Sequence, residues 1–131
     1  MIPEVDTPAH TESWGRSQKY KNMTLNCNGI YMGQFDPTLP MTWDVVQKVF
    51  TYVNATFDDE YVHFGGDEVV YDCWSQKQNI KDYMVANGIP TYYDLSIDYR
   101  RKQKAMFRKE ISPKKKVIYW ANEEIDLPLE D

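Results

Sequence analysis

The sequence predicts an α/β fold in which parallel strands alternate with helices. Short apolar runs at Tyr61–Phe64 and Val117–Trp120 indicate buried strands. Between and before these runs, apolar residues recur at the spacing of an amphipathic helix. The resulting order of strand, loop, helix, strand, helices and strand is typical of parallel βα units.

The first half of the chain is predicted to contain a strand end, a long loop and a helix. Residues 1–5 indicate the end of a strand. Residues 7–40 are predicted to be loop because glycines and prolines punctuate them, and a loop this long is often functional. Thr42 is predicted to cap a helix that ends at Phe57, with Asp44 in its first turn. Its buried stripe is predicted to be Val45, Val46, Val49, Phe50 and Val53.

The second half is predicted to contain two helices between its two strands. One helix covers residues 74–87 and stops at Gly88. A capping box that starts at Thr91 opens the other helix, which continues to Glu110. The residues predicted to face inward are Ile80, Met84 and Val85 in the first of these helices, and Leu95, Tyr99, Met106 and Phe107 in the second.

Composition excludes some classes of partner. The net charge is −5 and neither half has a basic stripe, which argues against a nucleic acid partner. The run Lys114–Lys116 is expected to be a solvated loop. No apolar run approaches the length of a membrane span, so no membrane partner is expected.

The most informative stretch is His63–Glu68, with the sequence His-Phe-Gly-Gly-Asp-Glu. Its two glycines permit a sharp bend after the strand, so that Asp67 and Glu68 can face one pocket. Like charges held close together resist ionising together, and one of the two acids is therefore expected to keep its proton to a higher pH. An acid and a carboxylate in one site are the groups needed to cleave a glycosidic bond.

This stretch resembles the His-x-Gly-Gly-Asp-Glu signature of family 20 glycoside hydrolases, the β-N-acetylhexosaminidases. Residues 2–10, Ile-Pro-Glu-Val-Asp-Thr-Pro-Ala-His, resemble the family's Pro-Glu-x-Asp-x-Pro-Gly-His segment. The spacing between the two blocks is similar to that of the lysosomal animal enzymes. Ala9 departs from the family's usual glycine, but it adds only one methyl group and leaves Asp6 and His10 unchanged.

The resemblance implies a partial (β/α)8 TIM barrel, roughly its middle strands and helices. Such a barrel takes about 250 residues, so the 131 residues of this chain are expected to be a fragment of a single TIM-barrel catalytic domain. Part of a barrel would expose two sheet edges and an apolar face, and we expect the chain alone to be inactive and marginally stable. A homodimer or heterodimer is expected for the full-length protein.

The resemblance assigns distinct roles to the two adjacent acids. Glu68 would be the general acid that protonates the leaving oxygen and then the base that activates water. In family 20 the 2-acetamido oxygen of the substrate attacks the anomeric carbon and gives an oxazolinium intermediate. Asp67 suits the carboxylate that accepts the acetamido N–H and balances the positive charge. The alternative for Glu68 is a solvated glutamate that caps the next turn. The alternative for Asp67 is a turn aspartate.

Three further residues are predicted to support these acids. Asp6, His10 and His63 would form a supporting layer, because a histidine near a carboxylate can relay a proton or orient an acid. The alternative for His63 is a satisfied core histidine. Asp6 and His10 could equally be turn residues around Pro8.

The tryptophans divide into a site candidate and structural ones. Trp120 is predicted to form a pocket wall that stacks on the sugar and encloses the acetamido methyl, as the family's tryptophan does. An ordinary core tryptophan at a strand end is the alternative. Trp14 and Trp74 are expected to be structural. The pair Glu123 and Glu124 would either reach the sugar or lie in a solvated loop.

Cys27 and Cys73 are open to two interpretations. In a cytosolic protein they would be free thiols, whereas the resemblance to lysosomal family members implies a disulfide between them. Two sequons, Asn22-Met23-Thr24 and Asn54-Ala55-Thr56, favour a secretory route. A lysosomal or secreted location is therefore expected.

Three functions are compared. The leading hypothesis is a hydrolase that releases terminal N-acetyl-D-hexosamine from glycans by substrate-assisted retaining catalysis. An inactive carbohydrate-binding relative is the alternative, because the family's substrate-clamping arginine and its later pocket residues have no counterpart here. A metal-dependent hydrolase using Asp6, His10, His63 and Asp67 is disfavoured, because no His-Glu-x-x-His motif or cysteine pair frames a metal site. We therefore expect no metal and no cofactor.

Overall fold

The structure is a computed structural model that describes residues 1–27 and 30–121. Within these residues the chain forms two small sheets and a set of α-helices, with a 3-10 helix at Glu12–Arg16. The strands are β1 (Thr24–Cys27), β2 (Ile30–Phe35), β3 (Tyr61–His63) and β4 (Lys116–Ile118). The α-helices are α1 (Pro40–Thr56), α2 (Tyr71–Ser75), α3 (Gln78–Ala86) and α4 (Tyr92–Glu110).

The parallel sheet that the sequence predicts is present. Strands β3 and β4 pair in parallel, with Val62 opposite Val117. On the other side of β3, Glu4 forms a parallel bridge with His63, and the N–H of Val5 donates to the carbonyl of His63 at 3.0 Å. The predicted strand end at residues 1–5 is therefore a single bridge flanked by hydrogen bonds. The α/β class is confirmed, and the described residues form no closed barrel.

The prediction of loop for residues 7–40 is wrong. Besides the 3-10 helix, this segment contains an antiparallel hairpin in which Thr24 of β1 lies opposite Phe35 of β2. Leu25 and Cys27 both face the interior, but two buried positions among polar residues are too short a pattern to predict a strand. Gly33 has a φ of 51°, and a Cβ there would meet the Cα of Glu12 at 2.6 Å, so the hairpin packs tightly against the 3-10 helix.

Helix α1 begins two residues before the predicted cap. Leu39 is its N-cap residue and Pro40 occupies the first turn, where its fixed φ and missing N–H suit a helix start. The Thr42 hydroxyl donates instead to the carbonyl of Asp36 at 2.7 Å. The predicted stripe is confirmed: its buried members are Val46, Phe50 and Val53, and Val45 and Val49 pack against the same core.

The helix predicted over residues 74–87 is two helices, α2 and α3. The break follows Ser75. The preceding residue, Trp74, is fully buried and donates its indole N–H to the carbonyl of Phe35 at 2.9 Å. Met84 faces the core as predicted, and so does Ile80, but the prediction for Val85 is wrong because its side chain is 84% exposed. Successive helix positions differ by about 100°, so a neighbour of a buried residue need not be buried.

Helix α4 follows its sequence signals closely. The Thr91 hydroxyl accepts the backbone N–H of Asp94 at 3.1 Å, as the capping box predicts. The inward residues Leu95, Tyr99 and Phe107 are fully buried, and Met106 packs against the same core. Strand β4 ends two residues earlier than predicted, although the N–H of Trp120 still donates to the carbonyl of Gly65 at 3.0 Å.

The core has two parts. One part packs α1 and α4 on the parallel strands through Phe50, Phe64 and Phe107, with the Phe50 and Phe64 ring centroids 4.3 Å apart. Truncating a buried ring of this kind to alanine typically costs about 3–5 kcal/mol. The other part surrounds Cys27, Cys73 and Trp74. Within the residues described, no helix is both long enough and apolar enough to cross a membrane.

Candidate active site

The turn after β3 carries the two adjacent acids. Gly65 and Gly66 have φ values of 68° and 95°, in the region that favours glycine. A Cβ on Gly65 would meet Asp6 Oδ1 at 1.9 Å, so this close approach requires glycine. Glu68 also has a positive φ, 53°, which for a residue with a side chain stores strain of order 1–3 kcal/mol. The chain therefore bends at the glycines, as the sequence predicts.

Asp6 joins the N-terminal block to this turn. Its Oδ1 accepts the N–H of Gly66 at 2.9 Å, and its Oδ2 accepts a hydrogen bond from Nδ1 of His10. Because the carboxylate can only accept, the proton lies on Nδ1 of the imidazole. Asp6 therefore fixes both the backbone that carries the acids and the orientation of His10.

His10 contacts both of the predicted catalytic acids. Its Nε2 lies 2.9 Å from Oε2 of Glu68, and its Nδ1 lies 3.9 Å from Oδ1 of Asp67. Burial lowers the pKa of His10, but hydrogen bonds to Asp6 and Glu68 and the charge of Asp67 outweigh this effect and raise the pKa above 6.5. The imidazolium form is therefore favoured over a wider pH range than in a free histidine.

Asp67 presents an acceptor that the described part of the chain does not use. Its Oδ1 is buried and has no hydrogen-bond partner among these residues, while the side chain as a whole remains 30% exposed. The side chain of Glu68 is 61% exposed. One buried, unpaired carboxylate oxygen beside an accessible carboxyl group is suited to binding a polar ligand, because such an oxygen lacks a donor until a ligand supplies one.

His63 and Trp120 form a neighbouring group around Glu4. Nδ1 of His63 accepts the N–H of Gly65 at 3.0 Å, so its neutral ring carries the proton on Nε2. The indole N–H of Trp120 donates to Glu4 Oε1 at 2.8 Å, and its ring centroid lies 4.7 Å from that of His63. Trp120 is 48% exposed and is therefore not a core tryptophan.

The predicted site residues thus gather at the carboxyl ends of the parallel segments, in two groups. Asp6, Asp67 and Glu68 each lie against the imidazole of His10. His63 and Trp120 touch each other instead, and connect to the first group through the backbone of Gly65–Gly66. Glu123 and Glu124 lie outside the described residues.

The two sequence blocks at this site correspond to a known family. Residues 1–127 match the family model described as the catalytic domain of glycosyl hydrolase family 20. The chain belongs to this family. It is 34% identical over 129 residues to mouse β-hexosaminidase subunit beta, and the aligned region covers 92% of this chain and 23% of the mouse protein. It is 35% identical over 105 residues to rat β-hexosaminidase subunit alpha, and the aligned region covers 76% of this chain and 19% of the rat protein.

Solved structures of the same kind share the fold of this family 20 chain. A β-N-acetylhexosaminidase crystal structure superposes with a TM-score of 0.79 at 18% identity, over 92% of this chain and 27% of that one. The Vibrio harveyi family 20 exo-β-N-acetylglucosaminidase in complex with N-acetylglucosamine gives a TM-score of 0.76 at 27% identity, over 91% of this chain and 19% of that one. The family 20 chain therefore spans about a quarter or less of the length of the relatives it matches.

Two residues beside the candidate site were not predicted from the sequence. Glu4 contacts both His63 and Trp120, and its place in the first motif block was the available signal. Arg100 is 3% exposed, donates to the carbonyl of Gly66 and lies 5.2 Å from the ring centroid of Tyr119. Burial lowers the pKa of Arg100. An arginine in a polar stretch of helix gave no signal of such burial.

A cation site can be assessed from the donors present. Asp6, His10 and Asp67 place one donor atom each within 4.8 Å of one another. Both oxygens of Asp6 already accept hydrogen bonds, one of them from the His10 nitrogen that a metal ion would need. His63 is not part of this group among the residues described. The arrangement fits a hydrogen-bonded chain better than a metal site.

The disulfide that the resemblance implies is present. Cys27 and Cys73 are bonded, with their Cα atoms 5.2 Å apart, and both side chains are buried. The bond joins strand β1 to helix α2, which begins three residues after Glu68. Native disulfides typically stabilise by about 2–4 kcal/mol, so this bond is expected to hold the hairpin beside the site.

Proposed function

We propose that the protein containing this chain is a β-N-acetylhexosaminidase that hydrolyses terminal non-reducing N-acetyl-D-hexosamine residues of glycoconjugates. The observation that carries the proposal is that Oδ1 of Asp67, beside Glu68, has no hydrogen-bond partner among the described residues, while both acids face one imidazole. Membership of family 20 supports it, as does the likeness to a structure that holds N-acetylglucosamine.

Glu68 is the proton donor in this mechanism. Its exposure lets the carboxyl group reach the glycosidic oxygen, and His10 holds it from the protein side. The imidazolium form of His10, which Asp6 stabilises at the opposite nitrogen, can pass the proton on Nε2 to Oε2 of Glu68, so that Glu68 carries a proton when the glycosidic bond breaks. After the leaving group departs, the Glu68 carboxylate accepts a proton from the incoming water.

Asp67 acts on the acetamido group of the substrate. The carbonyl oxygen of that group attacks the anomeric carbon, the bond to the leaving oxygen breaks, and a cyclic oxazolinium forms. The free Oδ1 of Asp67 accepts the acetamido N–H, orients the carbonyl oxygen for attack and balances the developing positive charge. Water then opens the ring with overall retention of configuration. Trp120 supplies the apolar wall of the pocket.

The proposal extends to the whole protein. Residues 1–131 are part of a single (β/α)8 barrel domain, with residues 3–7, β3 and β4 as adjacent strands. The disulfide favours a lysosomal or secreted location, because such bonds persist in oxidising compartments. A homodimer or heterodimer is supported by relatives named as alpha and beta subunits.

Turnover of a chromogenic N-acetylglucosaminide by the full-length protein tests the assignment. Glu68→Gln is expected to lower kcat by about 100-fold or more, the usual size of a general acid's contribution. Glu60→Gln is the matched control, because Glu60 is an exposed acid paired with Lys116 outside the site. Sugar binding without turnover in the unsubstituted protein would refute the hydrolase and favour the carbohydrate-binding relative.

A strong chelator separates this mechanism from metal-dependent hydrolysis. Undiminished turnover in its presence is expected, because the proposed steps use only carboxyl groups, an imidazole and the substrate's own amide. A loss of turnover that added divalent metal restores would contradict the proposal.

A further inference from the structure

The first sequon lies on the surface, immediately before strand β1. Asn22 is exposed, whereas Met23 is fully buried and Thr24 is 6% exposed. The Thr24 hydroxyl donates to the carbonyl of Thr11 at 3.1 Å. Two anchored residues therefore hold the backbone next to Asn22 in a defined place.

An open groove of about 390 Å³ begins at this asparagine. This volume falls in the range of about 300–1,000 Å³ that is typical of small-molecule sites. The groove runs between the hairpin and the start of α3. Its lining combines apolar and polar side chains that include Leu25, Leu39, Asp36, Lys77 and Asn79.

We propose that Asn22 carries an N-linked glycan and that the first N-acetylglucosamine of this glycan lies in the groove. The proposal requires passage through a compartment where glycans are attached, and the Cys27–Cys73 disulfide supports an oxidising route of that kind. It does not depend on the chemistry proposed for Glu68. The glycan is a modification of the protein and not its substrate.

The lining suits a sugar that has an amide group. Leu25 and Leu39 contribute apolar surface to the groove. The amide nitrogen of Asn79 donates to Asp36 at 2.7 Å and to Thr38 at 3.0 Å. Its carbonyl oxygen is the side-chain group that can accept from a sugar hydroxyl or amide. Two lysines that line the groove, Lys21 and Lys77, supply further donors.

Attachment is a group transfer with a defined balance. The donor is an oligosaccharide joined through its first N-acetylglucosamine to a polyprenyl diphosphate. Nδ2 of Asn22 forms a bond to C1 of that sugar, the bond between C1 and the diphosphate oxygen breaks, and the polyprenyl diphosphate leaves. Nδ2 loses one proton in the same step, and no oxidant or reductant is needed.

The burial of Thr24 bears on the order of events. A sequon is defined by its asparagine and by the hydroxyl residue two positions later, and in the folded chain the Thr24 hydroxyl is buried and donates to the carbonyl of Thr11. We therefore expect transfer to Asn22 to precede folding of this part of the chain. The second sequon differs, because Asn54 is half-buried and lies within α1.

Peptide mass spectrometry of the full-length protein from its natural source tests the modification. Enzymatic removal of N-glycans in heavy-oxygen water is expected to convert Asn22 to a labelled aspartate. In a eukaryotic secretory host, the Asn22→Gln variant is expected to be lighter than the natural protein by the mass of one glycan. Asn54→Gln is the parallel variant for the second sequon. Unmodified Asn22 in protein with an intact Cys27–Cys73 bond would overturn the proposal.

Hydrogen exchange tests whether the sugar occupies the groove. Protein trimmed to a single N-acetylglucosamine at Asn22 is compared with Asn22→Gln protein that has the same disulfide. Slower amide exchange at Leu25, Leu39 and Asn79 is expected in the sugar-bearing form, with unchanged exchange around Asn54. Equal exchange at the groove in both forms would show that the sugar projects into solvent and would overturn its placement.

Discussion

At the scale of single residues, a missing side chain determines the geometry of the site. Gly65 leaves room for Asp6 Oδ1, which lies only 1.9 Å from where a Cβ would be. The same carboxylate holds Gly66 and His10 through its two oxygens. One steric requirement therefore links the bend after β3 to the imidazole that contacts Glu68.

Gly65→Ala in the full-length protein tests this requirement, with Gly88→Ala as the matched control. Both glycines have positive φ values, 68° and 65°, but a Cβ on Gly88 would meet nothing within 4 Å. Gly88→Ala is expected to cost only the strain of the backbone conformation, about 1–2 kcal/mol. Gly65→Ala is expected to lower the free energy of unfolding by clearly more, measured by chemical denaturation. Equal costs would contradict the assigned contact.

The raised pKa of His10 predicts a pH-dependent contribution to stability. Folded His10 binds its proton more tightly than unfolded histidine, so the stabilisation is fully present below 6.5 and is lost as the pH rises through the folded pKa. The melting-temperature difference between the natural protein and His10→Gln is expected to shrink across that interval. The comparison is made above the usual titration range of carboxyl groups. A difference that is constant with pH would refute the ion pairing.

At the scale of secondary structure, features set by local sequence signals could be predicted, whereas features set by tertiary contacts could not. The cap at Thr91 and the buried stripe of α1 depend on neighbours within a few residues, and both are confirmed. The hairpin was missed because its stability comes from the disulfide and from packing against the 3-10 helix. The burial of Arg100 depends on Gly66 and Tyr119, both distant in sequence.

The site itself shows the same division. The proximity of Asp67 and Glu68 could be predicted because they adjoin the glycines within one motif, and that of Asp6 and His10 because they share the other. The separation of His63 and Trp120 into a group with Glu4 could not be predicted, because it follows from the register between residues 3–5 and β3. Register is a property of paired strands and is not encoded in either segment alone.

The disulfide yields a prediction at this scale. Cys73→Ser is expected to lower the free energy of unfolding by about 2–4 kcal/mol, because it removes the bond that ties β1 to α2. Chemical denaturation of the full-length protein with and without a reductant provides the measurement. The reductant should destabilise the natural protein and leave the Cys73→Ser variant unchanged at the hairpin. If hydrogen exchange of residues 24–27 is the same in both proteins, the bond does not hold the hairpin.

At the scale of the whole molecule, contacts between distant parts of the chain assemble the site. The parallel pairing brings residues 4 and 120 together, where Trp120 donates to Glu4. The same pairing places Asp6 beside the turn that carries Asp67 and Glu68. Since the chain spans 23% of the mouse relative's length, the catalytic proposal concerns the full-length protein.

The most direct test of the central claim is the dependence of turnover on the substrate's own amide. For the full-length protein, kcat/KM is measured for an aryl 2-acetamido-2-deoxyglucoside and for the matching aryl glucoside that has a 2-hydroxyl group. A strong preference for the acetamido substrate is predicted, together with loss of that preference in Asp67→Asn. Comparable turnover of both substrates, or a preference that survives Asp67→Asn, would contradict the mechanism.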